Sequence, residues 1–490
     1  MITFIISIIL LLLGYLLYSK LIERVIGVDA QRATPATTMA DGVDYVPMKP
    51  WRIFLIQFLN IAGVGPICGA IMGAQFGTAS FLWIVFGSVF AGAVHDFVAG
   101  FISLRNKGCS LPNIYGRYLG GNVQRVMAVF TIILMILVGA VFVKTPAQLL
   151  IDNFTPGWQL WIWPVIIFVY YMLATMLPID KLIGRIYPIF GILLLLMALF
   201  VMCAFFIRPE VHLTEVWEGI SNQHPKAASN PIFPMMFISI ACGAISGFHA
   251  TQSPLMARCM VNEKQARPIF YGAMISEGIV ALIWAAAATY FFHDKADLCA
   301  GKGGDAMVGV IANEWFTPVL AVITLLGVIA AAVTSGDTAL RSARLIVADI
   351  FHIDQKPIYK RFLVALPVFL FAGAILVYTF VDNDGFQTIW RYFAWANQVL
   401  ATVTLWAVTV FLVRKQKPYI ITLLPALLMT MVTASFIFVA EKEGLGRWLP
   451  RYMGYLAGGL VTLSALVKFI VWKIKKSKQA SSEDEDIDKQ

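Results

Sequence analysis

Two short stretches of this sequence combine glycine, proline and small polar residues in a way that an unbroken apolar helix does not tolerate. The first is Gln57-Phe-Leu-Asn-Ile-Ala-Gly-Val-Gly-Pro-Ile-Cys-Gly69, with Asn60, Gly63, Gly65 and Pro66 close together. Pro66 removes a backbone donor and pushes the residue before it out of helical geometry, yet proline suits the first turn of a new helix. One helical piece is therefore expected to end near Asn60 and another to start near Pro66. The second stretch is Ile240-Ala-Cys-Gly-Ala-Ile-Ser-Gly-Phe-His-Ala-Thr-Gln-Ser-Pro254. Gly243, Ser246 and Gly247 loosen the helix there, and Ser253-Pro254 reads as an N-cap followed by proline at the first helical position. This break is expected between about Gly243 and Ser253. An opened turn leaves free N–H groups on one side and free carbonyls on the other. The N–H end attracts a carboxylate, and the carbonyl end suits a cation or a protonated amine. Asn60, Gly63, Gly65, Pro66, Gly243, Ser246, Gly247, His249 and Gln252 form the candidate substrate-binding set. Taken singly, each break also fits a kinked packing helix with small residues at a close crossing.

Ionisable and hydroxyl residues inside apolar segments are the second group. His95-Asp96 lies within a long apolar run and fits either a proton path or a pair that caps neighbouring helix ends. Adjacent helical residues do not face each other, so the pair is not expected to be a dyad in itself. His249 falls in the second break, where it fits substrate contact, proton coupling or a hydrogen-bonded packing histidine. Thr334-Ser335-Gly336-Asp337-Thr338 follows another apolar run. Its hydroxyls suit a monovalent cation site built from Ala62, Gly65, Thr334, Ser335 and Thr338, and Asp337 could carry a proton. The alternative is a cytoplasmic helix cap with Asp337 bonded to Arg341 at i, i+4.

The elements that must hold these groups are membrane spans. The chain has 490 residues, 59% hydrophobic and only 13% charged, about half the charge of a soluble domain. That composition excludes a soluble enzyme, a disordered chain and a nucleic-acid-binding protein, and makes the lipid bilayer the first partner. Apolar runs long enough to cross are expected at 2–18, 53–74, 79–104, 122–143, 158–177, 186–207, 232–257, 269–292, 308–334, 361–380, 388–413, 419–440 and 452–472. All should be helices, since lipid leaves an open sheet no way to satisfy its backbone. Loops after odd-numbered runs hold 27 Lys and Arg, and those after even-numbered runs hold 9. By the positive-inside rule the N-terminus lies outside and the C-terminus in the cytoplasm. Met1–Tyr18 lacks a basic flank on its N-terminal side and reads as an uncleaved span. The six cysteines are scattered, without a CxxC, and read as packing residues. No HExxH, GxSxG or GxxxxGK[ST] is present, which argues against an enzyme or an ATP-driven pump. No soluble signalling domain is attached, which leaves a sensor or channel as the weaker reading.

The two breaks stand five runs apart. Five spans is an odd number, so the two sets enter the membrane in opposite senses. That is the inverted-repeat pattern of secondary transporters with a midplane site. The expected architecture is an all-α polytopic membrane protein of about 13 transmembrane helices, with a LeuT-like (APC-type) 5+5 inverted repeat plus extra helices. Its parts are an N-terminal helix (1–18), a cytoplasmic loop (19–52), a first five-helix repeat (53–207), a second (232–413), two further helices (419–472) and a disordered cytoplasmic tail (473–490). Asp180-Lys181 with Arg185 reads as a cytoplasmic loop network. No cofactor motif appears. The expected partners are a small-molecule carboxylate or peptide and a proton or sodium as coupling ion, and no feature sets an oligomeric state.

Several of these motifs belong together. Asn60-Ile-Ala-Gly-Val-Gly-Pro66, Gly92-Ala-Val-His-Asp-Phe97 with Arg105, Leu177-Pro-Ile-Asp-Lys-Leu-Ile-Gly-Arg-Ile-Tyr-Pro188 and Thr334-Ser-Gly-Asp-Thr-Ala-Leu-Arg341 resemble the carbon starvation protein A family, as do Thr34-Pro-Ala and Asp41-Gly-Val-Asp-Tyr45. The resemblance runs from about residue 15 to 440. The chain departs in being shorter, with two spans and a short tail in place of a long C-terminal portion. The resemblance implies an inner-membrane nutrient importer, for peptides under carbon limitation or for pyruvate with a proton.

Overall fold

A computed structural model gives the fold. It describes the chain apart from residues 43, 178, 300–301, 356, 383–384 and 488–490, and apart from the side chains of 179–186, 387 and 477–487. The principal helices are α1 (Ile2–Ile26), the bent pair α2a (Pro50–Ile61) and α2b (Gly65–Ala74), α3 (Ala79–Arg105), α4 (Gly121–Asn153), α5 (Ile162–Met176), α6 (Ile179–Ile207), α7 (Gly247–Ala257), α8 (Glu263–Asp294), α9 (Pro318–Ile350), α10 (Ile358–Val381), α11 (Gly385–Arg414), α12 (Ile420–Val439) and α13 (Arg451–Ile487). Among the described residues, ten helices are long and apolar enough to cross a membrane, and the α2a–α2b pair, bent by 51°, makes eleven.

The expected count of thirteen is thus not reproduced by length and hydropathy, for local reasons. The run at 158–177 folds only as the 15-residue α5. The run at 232–257 breaks into Phe237–Ser239 and α7 around an irregular middle. The run at 308–334 joins two elements: a short helix, Gly304–Trp315, and the first half of α9, which restarts at Pro318. Proline at a helix start ends one element and begins the next. As a result α9 is 33 residues long, roughly 50 Å at 1.5 Å per residue. Thr334–Thr338 sits in its middle, so the cytoplasmic-cap reading of that segment is wrong.

Two other expectations shift. The N-terminal helix runs to Ile26 and stops at Gly27, whose φ of +72° is the left-handed cap that favours glycine. The tail expected to lack structure from Lys473 continues α13 to Ile487. No proline or glycine follows Gly459, so nothing in the backbone stops that helix. Asp180, Lys181 and Arg185 fall in α6 rather than a loop, and their side chains lie outside the described residues.

The bundle is organised around α2, α7 and α9. α9 packs along α4 and α6, while α7 packs on α3, α2a and α11, and α8 covers α2a and α2b. α1 and α13 lie on the outside with large apolar side chains turned outward, as lipid contact requires. An apolar groove of about 550 Å³ lies between α4, α9 and α10, lined by residues such as Ile132, Ile136, Leu363 and Phe371. It holds none of the candidate site residues.

Two polar clamps hold the ends. Between α1 and α2a the chain crosses one end of the bundle, where the buried Glu263 accepts from the Asp29 N–H at 2.9 Å and from Arg105 at 3.0 Å through both oxygens. At the other end of α1, Glu215 accepts from the Ile2 and Thr3 N–H groups at 2.9 and 2.7 Å. Partial burial would push the Glu215 carboxyl up, but hydrogen bonds from the Met1 ammonium, the Thr3 hydroxyl and these two N–H groups outweigh it and hold the carboxyl at about 2. A lowered carboxyl favours the folded state above its ordinary value of 4.5 and loses that contribution as pH falls toward 2. Glu215→Gln should therefore lower the Tm in detergent by a constant amount above pH 5. The gap should close on acidification, and a gap that widens with acid would contradict the clamp.

Candidate functional site

The first break opens where the sequence places it. α2a ends at Ile61, Ala62 leaves helical geometry at φ −80°, ψ 49°, and α2b begins at Gly65 with Pro66 in its first turn. That first turn, Gly65–Gly69, is a wide π turn, a feature frequent at functional sites. Near the end of α2a the Leu59 carbonyl accepts from Ser335 Oγ at 2.9 Å and from Thr334 Oγ1 at 3.4 Å. α2a also carries Gln57 and Asn60, both fully buried, with neither amide atom of either side chain bonded within the protein. Unpaired buried amides are costly, roughly 1–3 kcal/mol each, and call for an explanation.

The second break is narrower than its sequence suggests. The irregular stretch covers Ile240 to Ser246, and α7 starts at Gly247. Ser246, not Ser253, is the N-cap residue, and Pro254 lies inside α7. Ser253 instead donates back to the His249 carbonyl at 3.1 Å. The cap bond itself comes from another helix, since the Phe248 N–H donates to Asn397 Oδ1 of α11 at 2.7 Å. Asn397 Nδ2 donates to Ser246 Oγ at 2.8 Å, and Ser88 Oγ of α3 to the Gly243 carbonyl at 3.0 Å. Neighbouring helices thus satisfy the opened backbone, as a break inside a membrane demands.

The two breaks touch. A Cβ on Gly65 would lie 2.3 Å from Cys242 Sγ, one on Gly69 would lie 2.8 Å from the Ser239 carbonyl oxygen, and one on Gly243 would lie 3.8 Å from the Pro66 Cα. At 65 and 69 only glycine permits that approach. Gly65, Pro66 and Gly69 therefore meet Ser239, Cys242 and Gly243 at a single junction, while Gly63 faces Phe142 and Ser335, and Gly247 faces Asn397, Leu400 and Ala401 of α11.

Beside this junction lies a buried ionisable cluster. Asp96 Oδ1 is 2.7 Å from His95 Nδ1, and Asp96 Oδ2 is 2.9 Å from His249 Nδ1. The other ring nitrogen, His249 Nε2, lies 3.2 Å from Glu277 Oε2 of α8. All four side chains are 0% exposed. His95 and Asp96 do face one another, contrary to the helical-wheel expectation, because one carboxylate reaches sideways with an oxygen for each imidazole. His249 is the third residue of α7, just past the break rather than within it. An unpaired buried carboxylate would cost tens of kcal/mol, so two of them persist only by sharing protons with the imidazoles.

The remaining candidates form a separate group. Asp337 Oδ2 accepts from Tyr187 OH at 3.2 Å, and its Oδ1 has no bond within the protein. Arg341 does not pair with it by hydrogen bond and donates instead to the Leu177 carbonyl at 3.0 Å and to that of Ala174, at the C-terminal end of α5. Thr338 bonds back to the Thr334 carbonyl at 3.1 Å, and so faces its own helix rather than the Leu59 carbonyl. Of the proposed cation set, Thr334 and Ser335 meet the first break and Thr338 does not. Gln252 donates to Thr251 Oγ1 at 2.9 Å, leaving its Oε1 unbonded. Sequence reasoning missed Glu277, Gln57 and Asn397. Glu277 carried a usable signal, an acid in the middle of an apolar span; the neutral amides did not.

The carbon starvation protein CstA family model matches residues 1–157, 147–302 and 296–436. An uncharacterized membrane protein of Haemophilus influenzae is 40% identical over 345 residues, 61% of this chain and 93% of that protein. The peptide transporter CstA of Bacillus subtilis is 27% identical over 582 residues, 95% of this chain and 93% of its own. The pyruvate/proton symporter BtsT of Escherichia coli is 29% identical over 352 residues, 57% of this chain and 47% of its own. Among solved structures, MhsT in complex with L-phenylalanine superposes with a TM-score of 0.58 at 12% identity, covering 86% of this chain and 99% of that one. That likeness shows the fold alone, an all-helical arrangement.

Proposed function

This chain belongs to the carbon starvation protein CstA family and is a membrane transporter rather than an enzyme, and on that premise we propose that it imports a small carboxylate nutrient, pyruvate or a short peptide, together with a proton. The observation that carries this reading is the contact between the two helix breaks with the His95–Asp96–His249 cluster directly beside it. The breaks supply N–H groups and unbonded amides for a carboxylate. The cluster supplies the charge: the buried arginines Arg258, Arg341, Arg344 and Arg361 are engaged elsewhere, on the Gly108, Leu177, Gln355 and Met176 partners. A carboxylate at the junction therefore finds its counter-charge in the proton that the cluster takes up, which ties its passage to a proton.

In this reading spans two to six and seven to eleven form the inverted pair, 53–207 and 232–413, within a scheme of thirteen crossings that counts α5 and the broken α7 segment as spans. We orient the N-terminus outside and the C-terminus in the cytoplasm of the inner membrane from the loop charge bias, and we link the importer to scavenging under carbon starvation through its family. The runner-up is a sodium-coupled amino-acid or peptide symporter, favoured by the Leu59 carbonyl with Ser335 and Thr334.

Uptake into liposomes holding the purified protein separates the two. An imposed proton gradient should drive accumulation of labelled pyruvate or dipeptide, in competition with lactate, single amino acids and dipeptides. Accumulation indifferent to protons refutes the lead reading, and dependence on sodium alone supports the runner-up. His249→Gln keeps approximate size but replaces the imidazole by an amide that cannot take up and pass on a proton. It is expected to flatten the pH dependence of uptake, because no imidazole then links Glu277 to Asp96. An unchanged profile would return His249 to a packing role.

A further inference from the structure

We propose that Glu277, halfway along α8, is the group that binds the transported proton, and that His249 passes it to Asp96. This rests on the proton-coupled reading above and names the path within it. Glu277 lies 14 residues beyond the start of α8 at Glu263, near the middle of a 32-residue helix long enough to cross a bilayer. Its side chain is 0% exposed, and neither oxygen is hydrogen-bonded within the protein. Among the described residues it forms one ion pair, with His249 Nε2 at 3.2 Å, whose opposite nitrogen is 2.9 Å from Asp96 Oδ2. One imidazole thus stands between two carboxylates, with a ring nitrogen toward each.

That arrangement moves a proton without leaving charge on the imidazole. The proton on protonated Glu277 goes from Oε2 to His249 Nε2 while the Nδ1 proton goes to Asp96 Oδ2. Glu277 becomes a carboxylate, Asp96 a neutral acid, and His249 remains neutral with its proton on the other nitrogen. His95 Nδ1, 2.7 Å from Asp96 Oδ1, holds the receiving carboxylate in place.

The other groups near this path are few. Among the described residues, α7 and its break bring Cys242, and α3 brings His95, Asp96 and the uncharged Ser88. Of the other elements on α8, α1 sets Tyr15 against the Tyr271 ring, α2b carries the Cys68 thiol, and α6 carries Tyr187, which is turned to Asp337. The Gln57 and Asn60 amides of α2a, which packs against α8, carry no charge.

The test uses full-length protein in liposomes with labelled pyruvate or dialanine, whichever the wild type accumulates. Glu277→Gln keeps shape and removes the exchangeable proton. Under an imposed gradient of two pH units the wild type should accumulate substrate about 100-fold for one proton each, since each tenfold is one pH unit. Glu277→Gln should only equilibrate it. Exchange of labelled for unlabelled substrate at equal pH, which needs no net proton movement, should stay within about threefold of wild type. Glu277→Asp, which keeps a carboxyl on a shorter arm, should restore gradient-driven uptake with a shifted pH profile. Normal accumulation by Glu277→Gln overturns the proposal, as does loss of exchange together with accumulation in protein that elutes like wild type. If Glu277→Gln does not fold, an unshifted pH profile in Glu277→Asp overturns it. A wild type driven by sodium alone overturns proton coupling as a whole, a failure distinct from these.

Discussion

Gly65→Leu is expected to abolish substrate accumulation while the protein still elutes as a folded species. The first carbon added at this position would lie 2.3 Å from Cys242 Sγ and 2.6 Å from Cys242 Cβ, far inside van der Waals contact. Both groups sit at the starts of opened turns, so the clash cannot be relieved by swinging a long side chain away. The two breaks must separate. Overpacking of this kind costs about 1–3 kcal/mol, which a bundle of this size survives. The site survives less well, because its polar groups are arranged by that contact. Gly65→Ala should also lose most activity, since it is the β-carbon that collides. Normal transport by Gly65→Leu would mean that the substrate binds elsewhere.

Asp96→Asn should be the second large effect. Asp96 is the only described residue that bonds both His95 and His249, with one oxygen for each. An asparagine keeps the shape but offers one oxygen and cannot take up a proton. Accumulation under a gradient of two pH units should fall about 100-fold, to passive equilibration, while substrate exchange at equal pH persists. Continued concentration of substrate by the Asp96→Asn variant would exclude the cluster from coupling.

Local chemistry explains which of these features could be read in advance. The breaks were visible because proline and glycine act on their own backbone: α2a ends one residue past Asn60, and α2b starts one residue before Pro66. The Ser253-Pro254 signal misled, because Pro254 lies inside α7 and the cap at its start is at Ser246, with the bond supplied by Asn397 of another helix. The mid-helix position of Thr334–Thr338 was hidden for a different reason. The second half of α9 is polar in composition and yet buried, Arg341 and Arg344 included, because it packs against protein rather than lipid. Hydropathy reads that half as a loop. His95, Asp96 and His249 stood out as ionisable residues in apolar runs. Their meeting did not, since Asp96 and His249 are 153 residues apart and only the packing of α7 on α3 joins them.

In the proposed function one carboxylate and one proton cross together through the junction of the two breaks. The most direct measurement is the internal pH of liposomes carrying the wild-type protein and a trapped pH-sensitive dye, with substrate added outside and no gradient imposed. Acidification of the interior should follow substrate entry and be lost with Asp96→Asn. Substrate entering at the wild-type rate with no change of internal pH would contradict it.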